Sequence, residues 1–388
     1  MERLTNQYVK AHKTECCGCY ACLNVCPTHA ISMRADNEGF LYPFIDDEKC
    51  IHCGQCAKVC QMINLKANSE GSTKKVYACM NLNTEERLKS SSGGIFIQLA
   101  RYVIEQGGCV FGAAFDDQMV VRHMKAHTLE ECKKFMGSKY VQSAIGTTFA
   151  EAKRALDHGK MVLFTGTPCR IHGLKLFLKK DYENLIAVDI VCHGVPSPLV
   201  FETWKKEIEN REKGKMWSIQ FRNKSYGWQN YCLQWELDEK KQQIPHSKSL
   251  YIKGFLEDLY LRESCYYCFN KEGNFFSDIT LGDYWGVEQR DPDMYDDKGT
   301  SVALIHTIKG QQIFEKLTDT LCSKEVDMQY VIQHNSCISR PVRINPKRAD
   351  FFKSFHNQPD AVCSVIRQFC HRPSRWVRFR DRIRRIFK

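Results

Sequence analysis

Four cysteines stand at positions 16, 19, 22 and 26, followed by Pro27, and four more stand at 50, 53, 56 and 60. The spacing C-x2-C-x2-C-x3-C therefore occurs twice, offset by 34 residues (Cys16 to Cys50), with Gln61 where the first copy has proline. Nothing else in the chain restricts its folding as tightly. Three thiolates two residues apart, in a tight loop, can wrap one face of a [4Fe-4S] cube, and the fourth, at the start of a short helix, points toward a second cube. The spacing assigns Cys16, Cys19, Cys22 and Cys60 to one cluster and Cys50, Cys53, Cys56 and Cys26 to the other. Zinc knuckles, the alternative, take two pairs per site rather than a triplet and a singleton. Cys17 falls inside a spacer and reads as a bystander.

This region resembles bacterial two-cluster ferredoxins, with a domain expected over residues 1–68 and a linker at Asn68-Ser69-Glu70-Gly71-Ser72-Thr73. The chain has 388 residues, 43% hydrophobic and 26% charged, enough for a sizeable core in two or three domains. Its 21 cysteines could suggest a disulfide scaffold, but such scaffolds are short and secreted, and the start MERLTNQYVKAHK has no apolar signal core. Apolar runs are of strand length, not membrane-crossing length. The expectation is a cytoplasmic metalloprotein.

From Val76 onward strands and helices alternate, predicting a mixed α+β or α/β body with parallel βαβ units. Ser92-Gly93-Gly94 precedes an apolar-periodic helix, where serines can cap and free N–H groups suit an anion. Cys109 to Phe115 reads as a strand. The polar stretch from Gly137 to Ser143 includes Lys139, a solvated lysine in the ordinary case. Met161 to Phe164 is a buried strand, followed by Thr165-Gly166-Thr167-Pro168-Cys169, with Thr167 as N-cap and Pro168 opening the helix. Asn184 to Val191 repeats the design, ending at Cys192-His193-Gly194, and Ser197-Pro198 opens the next helix. Cys169 and Cys192 thus lie just past strand carboxyl ends, where open sheets bind ligands. Cys265 and Cys268 supply two thiolates, and Cys169 and Cys192 are the best-placed donors to complete a four-ligand site. Structural zinc and a redox C-x-x-C pair are the alternatives. The nine remaining cysteines have no motif spacing.

Six pieces in order carry a resemblance: Ser92-Gly93-Gly94, Gly137 to Ser143, Gly166-Thr167-Pro168-Cys169, Cys192-His193-Gly194-Val195-Pro196-Ser197-Pro198, Cys265-x2-Cys268, and Asp278 to Gly286. From about Val76 to Phe352 the chain is similar to the beta subunits of coenzyme factor 420 (deazaflavin) hydrogenases and dehydrogenases. The resemblance implies a flavin-binding domain in two parts, 75–155 and 156–355. It implies a third [4Fe-4S] cluster on Cys169, Cys192, Cys265 and Cys268, beside FAD. It makes Ser92, Gly93, Gly94, Lys139, Gln142, Ser143, Thr165, Gly166, Thr167 and Pro168 the flavin-site residues. A lysine near the flavin N1 or pyrophosphate would stabilise negative charge there. It does not imply the substrate.

His193 is a candidate general acid, or hydrogen-bonds only the loop or a cluster sulfur. Asp283 and Tyr284 face the site or close the sheet, and Arg222 meets an anion or is solvated. Formal net charge is +11, and the last eighteen residues, His371 to Lys388, hold +7 of it, leaving +4 elsewhere. A general nucleic-acid surface is not supported. The segment 371–388 reads as a basic amphipathic helix, suited to an anionic membrane surface or an acidic partner, so the location expected is cytoplasmic with a peripheral membrane contact. The leading expectation is an iron–sulfur flavoprotein oxidoreductase, relaying single electrons from a redox partner protein or small carrier to FAD for a two-electron reaction. The alternatives are an electron-transfer subunit without a substrate site and a metal-stabilised binding protein.

Overall fold

The computed structural model describes residues 3–65, 73–238, 240–271 and 273–370. The expected terminal helix over 371–388 and most of the linker lie outside the described residues.

The cysteine-rich segment forms a two-stranded antiparallel hairpin, β1 (Ile31–Ala35) and β2 (Leu41–Ile45), with short helices Ala21–Val25 and Gln55–Lys58 after the two cysteine loops. Each loop turns through left-handed backbone, at Gly18 and Tyr20 in the first and His52 and Gly54 in the second.

The body is built on one eight-stranded sheet. Its strands are β3 (Lys75–Asn81), β4 (Cys109–Phe115), β5 (Val121–Ala126), β6 (Val162–Gly166), β7 (Leu185–Ile190), β11 (Ile279–Asp283), β12 (Ser301–Ile305) and β13 (Leu321–Glu325). Between β7 and β11 in the chain, β8 (Met216–Asn223), β9 (Cys232–Leu237) and β10 (Lys240–Pro245) form a separate antiparallel sheet. The large sheet runs β13-β3-β12-β11-β7-β6-β4-β5, and its centre, β4, β6, β7 and β11, is parallel.

The buried strands show why this centre is stable. Val162 and Phe164 on β6, with Leu185 and Ala187 on β7, enter a core shared with helices Thr148–Asp157 and Pro168–Leu178. Leu163, Ile186 and Val188 point the other way, into a core with helix Ile95–Glu105. The two-residue period buries both faces, as parallel strands between helices require. The predicted mixed fold with parallel βαβ units is therefore the observed one.

Strands from 75–155 and from 156–355 interleave in one sheet. The core also continues past 355: Val362, Val365 and Ile366 of helix Val362–Phe369 are fully buried with Phe351 and Tyr260. The same core takes in Leu4, Val9, Phe40 and Ile45, so the cysteine-rich domain shares hydrophobic packing with the body. A bidentate contact from Arg348 to Glu38 also joins them.

Candidate electron-transfer centre

Cys16, Cys19, Cys22 and Cys60 line one cavity, together with Cys17, Leu4, Gly18 and Met62. Cys26, Cys50, Cys53 and Cys56 line a second, which shares Leu4 as a wall. These are the two groups the spacing assigned, each mixing residues from both copies of the motif. N–H groups point at the sulfurs: Ala30 N donates to Cys26 Sγ at 3.3 Å and Arg3 Nη1 to Cys50 Sγ at 3.4 Å. Such donors suit thiolates. Among the described residues no three His, Cys, Asp or Glu side chains close on a single ion.

The third set also comes together. Cys169 opens the helix after β6, Cys192 follows β7, and Cys265 and Cys268 arrive from the loop before β11. Because β6 and β7 are parallel neighbours, their carboxyl ends bring the first two to one place. Burial first, then the nearby Cys268 and Cys169, push the Cys265 thiol up to about 12. Burial followed by Cys169 pushes Cys268 up to about 11. Burial raises Cys192 as well, with Cys265, Cys169 and Cys268 acting on it together. Cys192, Cys265 and Cys268, crowded and buried, resist ionising unless a metal supplies positive charge, which is the property of a cluster or metal pocket, while the neighbouring Cys17 thiol holds Cys169 down to about 6. The backbone N–H of Val195 donates to Cys265 Sγ at 3.4 Å, and Thr167 Oγ1 lies 3.3 Å from Cys169 Sγ. Thr167 caps its helix by position, but its hydroxyl serves this sulfur.

Cys17, read as a bystander rather than a ligand, lines the cavity of the nearer set and lies close enough to both Cys19 and Cys169 to raise its thiol pKa, so it stands between the third set and the nearer set of the dicluster domain. The contact is close elsewhere too. A Cβ on Gly173 would stand 2.8 Å from Cys19 Cβ and 3.0 Å from its Sγ. Gln61 donates from Nε2 to the carbonyl of Cys169 at 2.7 Å.

The flavin-site residues predicted from the resemblance separate into three groups. Gln142 is buried at the junction of cysteine sets, where its amide meets Cys17 O at 3.4 Å and Arg262 Nη1 at 3.1 Å. Ser143 bonds His123 Nδ1 at 2.7 Å, and Thr165 gives its hydroxyl to Phe111 O across the sheet. Gly166 lies against Arg170 and His123, and Pro168 is buried at the helix start. Ser92 bonds Thr300 O, and a Cβ on Gly93 would collide with Cys79 O. That glycine is required by packing on the sheet, while Gly94 (φ +81) starts the helix without a side-chain cap. Lys139 is not a solvated lysine: Nζ donates to Lys134 O and Met136 O, and burial pushes it down to about 7.

Arg222, expected to meet an anion or to be solvated, is buried. It pairs with Asp283 and lies over the Tyr231 and Trp285 rings, while its Nε and Nη2 have no hydrogen-bond partner among the described residues. Asp283 also accepts from Trp228 Nε1 at 3.1 Å, and Trp228 stacks on Trp285 with centroids 4.9 Å apart. Tyr284 closes the sheet, buried, with its hydroxyl on Asp291 at 2.7 Å. His193 contacts Asp258 at 2.6 Å through Nε2 and Cys337 Sγ at 3.6 Å through Nδ1. Its ring stands edge-on to Phe255, which stacks on Tyr140. Sequence reasoning missed Asp258, Cys337, His123, Arg170 and Arg262. None stands in a spaced motif, although Arg170 adjoins Cys169 and Arg262 precedes Cys265 by three residues.

The fold and the paired cysteine sets define an iron–sulfur electron-transfer protein. Residues 159–329 match the family described as the C-terminal part of the coenzyme F420 hydrogenase/dehydrogenase beta subunit, and residues 15–62 match a 4Fe-4S dicluster domain. The likeness to the beta-subunit family is thus over residues 159–329, behind a stretch that matches a dicluster domain. It is also similar to a chain of the F420-reducing [NiFe] hydrogenase complex from Methanosarcina barkeri, at 17% identity and a TM-score of 0.46, covering 70% of this chain and 93% of that one. No curated protein matches the chain.

Proposed function

We propose that the protein is an iron–sulfur flavoprotein oxidoreductase in which three [4Fe-4S] clusters and FAD form one series. The observation that carries this reading is the close approach of the dicluster domain to the third cysteine set, where Gln61, next to Cys60, donates to Cys169 O at 2.7 Å and a Cβ on Gly173 would stand 3.0 Å from Cys19 Sγ. Electrons would enter at the outer set, where Cys53 and Ile51 are exposed and a redox partner or small carrier can approach. They would pass through Cys16, Cys19, Cys22 and Cys60 to the set at Cys169, Cys192, Cys265 and Cys268.

Beyond that set, the proposed cofactor recess lies at the carboxyl end of β11, where Arg222 pairs with Asp283 and lies over the Trp285 ring, with Lys224 nearby. Arg222 has two buried donors without partners, and a buried orphan donor is costly unless a ligand satisfies it. Lys139 and Lys224 are held down to about 7 by burial, and an anion beside either would restore its charge. FAD, when bound, exchanges single electrons with clusters and electron pairs with a substrate. Arg222, Lys139 and Lys224 would hold its phosphates or ring carbonyls, and Trp228 and Trp285 would wall the recess. The substrate is a two-electron acceptor or donor, with a deazaflavin-type coenzyme as one class. The reading keeps the protein in the cytoplasm, and no described helix is long and apolar enough to cross a membrane.

The test is iron, acid-labile sulfide, zinc and flavin per chain on protein purified without oxygen. About twelve iron atoms and one FAD support the series, since four irons make each cube. About eight iron atoms with zinc and no flavin overturn it. A second reading, a relay subunit needing a catalytic partner, is favoured by the engagement of both acid–base candidates: Asp283 with Arg222, and His193 with Asp258. Turnover with an artificial donor by the chain alone excludes it.

A further inference from the structure

Two buried arginines stand where the dicluster domain meets the third cysteine set. Arg262 is fully buried, yet its acceptors are all neutral: Cys16 O at 2.8 Å, Gln142 Oε1 at 3.1 Å and Leu41 O at 3.1 Å. Its guanidinium lies over the Tyr42 ring at 4.1 Å. The thiols acting on it are Cys16 and Cys17 on one side and Cys265 on the other. Arg170 is 4% exposed, and among the described residues its guanidinium gives one hydrogen bond, from Nη2 to Ser143 O at 3.0 Å, and its Nη1 has no hydrogen-bond partner. It acts on Cys19 of the nearer set and on Cys169 of the third. Among the described residues neither arginine pairs with a carboxylate.

A buried cation without a counter-ion is strongly unfavourable. Each of these guanidiniums lies between two different cysteine sets: Arg262 donates to Cys16 O while its own carbonyl accepts from Cys265 N at 3.0 Å, and Arg170 directly follows Cys169 and lies over the ring of Tyr20, the neighbour of Cys19, at 5.5 Å. A [4Fe-4S] cube on four thiolates carries about −2 when oxidised and gains a further negative charge on reduction. A cation between two such cubes stabilises the reduced form of both and weakens the repulsion that filling one imposes on filling the other. Lys271 differs: it is 5% exposed, donates to Cys192 O and Cys337 O, and acts on Cys192 and Cys268 of the third set only.

We propose that Arg170 and Arg262 are shared counter-charges that raise together the potentials of the cluster on Cys16, Cys19, Cys22 and Cys60 and the cluster on Cys169, Cys192, Cys265 and Cys268. This rests on the reading that both sets hold clusters. They act through the clusters' charge and are positioning residues, not catalytic ones. The outer cluster on Cys26, Cys50, Cys53 and Cys56 is outside their reach, and Lys271 tunes the third cluster alone.

The test is a reductive titration of each cluster, followed by electron paramagnetic resonance, on the full chain as wild type, R262Q, R170Q and K271Q. R262Q and R170Q are each expected to disfavour reduction of both inner clusters by tenfold or more, which is 59 mV for a one-electron couple. The outer cluster stays within threefold, and K271Q moves only the third. Because Arg170 makes a single hydrogen bond, R170Q keeps the test open if R262Q fails to load its clusters. A shift in one inner cluster alone, or in neither, overturns the proposal while leaving the series intact. A wild-type chain that shows only two clusters overturns both.

Discussion

The amide of Gln61 donates to the backbone carbonyl of Cys169 at 2.7 Å, so the residue directly after Cys60 of one cysteine set grips a residue of the next. Gln61 is the position where the second motif departs from the first, which has proline there. Proline has no side-chain donor and could not make this bond. Asn270 Nδ2 holds the other end of the amide at 3.3 Å, and Asn270 Oδ1 in turn accepts from His172 Nδ1 at 2.9 Å. Gln61→Ala is expected to cost about 1–3 kcal/mol, since it leaves buried polar groups without partners. It should also slow reduction of the third cluster through the dicluster domain. Urea midpoints and stopped-flow reduction check both effects.

Gly173 sets how close the two sets come. An alanine there would bring its Cβ to 2.8 Å from Cys19 Cβ, a distance that forces the backbone apart. Gly173→Ala should lower the iron content of the inner dicluster site while leaving the outer one loaded. Iron per chain and the resonance signals of each cluster decide it.

Cys268→Ala should remove about four iron atoms per chain, the content of one cube, without affecting the dicluster domain. Cys17→Ala should remove none, because Cys17 contacts ligands without belonging to either group of four. A loss of iron in Cys17→Ala would make it a ligand instead.

Arg222→Met should release flavin. It removes two donors that have no hydrogen-bond partner among the described residues and leaves the half-buried Asp283 carboxylate without its cation. Flavin per chain should fall severalfold with iron unchanged. Equal loss of both would mean that Arg222 supports the fold rather than the cofactor.

His172 predicts a pH dependence. Burial pushes it down to about 4, and its ring stacks on Phe276 at 3.7 Å. Between pH 6.5 and 4 the unfolded chain takes a proton here that the native chain refuses. Stability is therefore complete above pH 6.5 and falls as pH drops, by up to about 1.4 kcal/mol per pH unit. His172→Gln should flatten the decline of the urea midpoint between pH 6.5 and 5, and an unchanged slope would assign it to other groups.

The eight dicluster cysteines were legible because their ligand geometry is local: each loop supplies three sulfurs within seven residues, and the repeat names its partner. The parallel centre was legible too, since Val162 to Phe164 and Leu185 to Val188 are apolar on both faces. The interleaving of β3, β12 and β13 with these strands was not, because it joins segments more than 200 residues apart. Nor was the burial of Arg222, an arginine ordinary in its sequence neighbourhood.

The sequence by itself determined which sulfurs group together in the dicluster domain and which strands form the centre of the sheet. Only the tertiary structure decided that Cys17 and Gln61 meet Cys169, and that Arg170 and Arg262 are buried between cysteine sets without carboxylates. The reason is physical. Spacing encodes what a few residues can do among themselves, whereas a contact between distant loops depends on how two cores pack, and the charge balance of a buried cation depends on everything that packs around it.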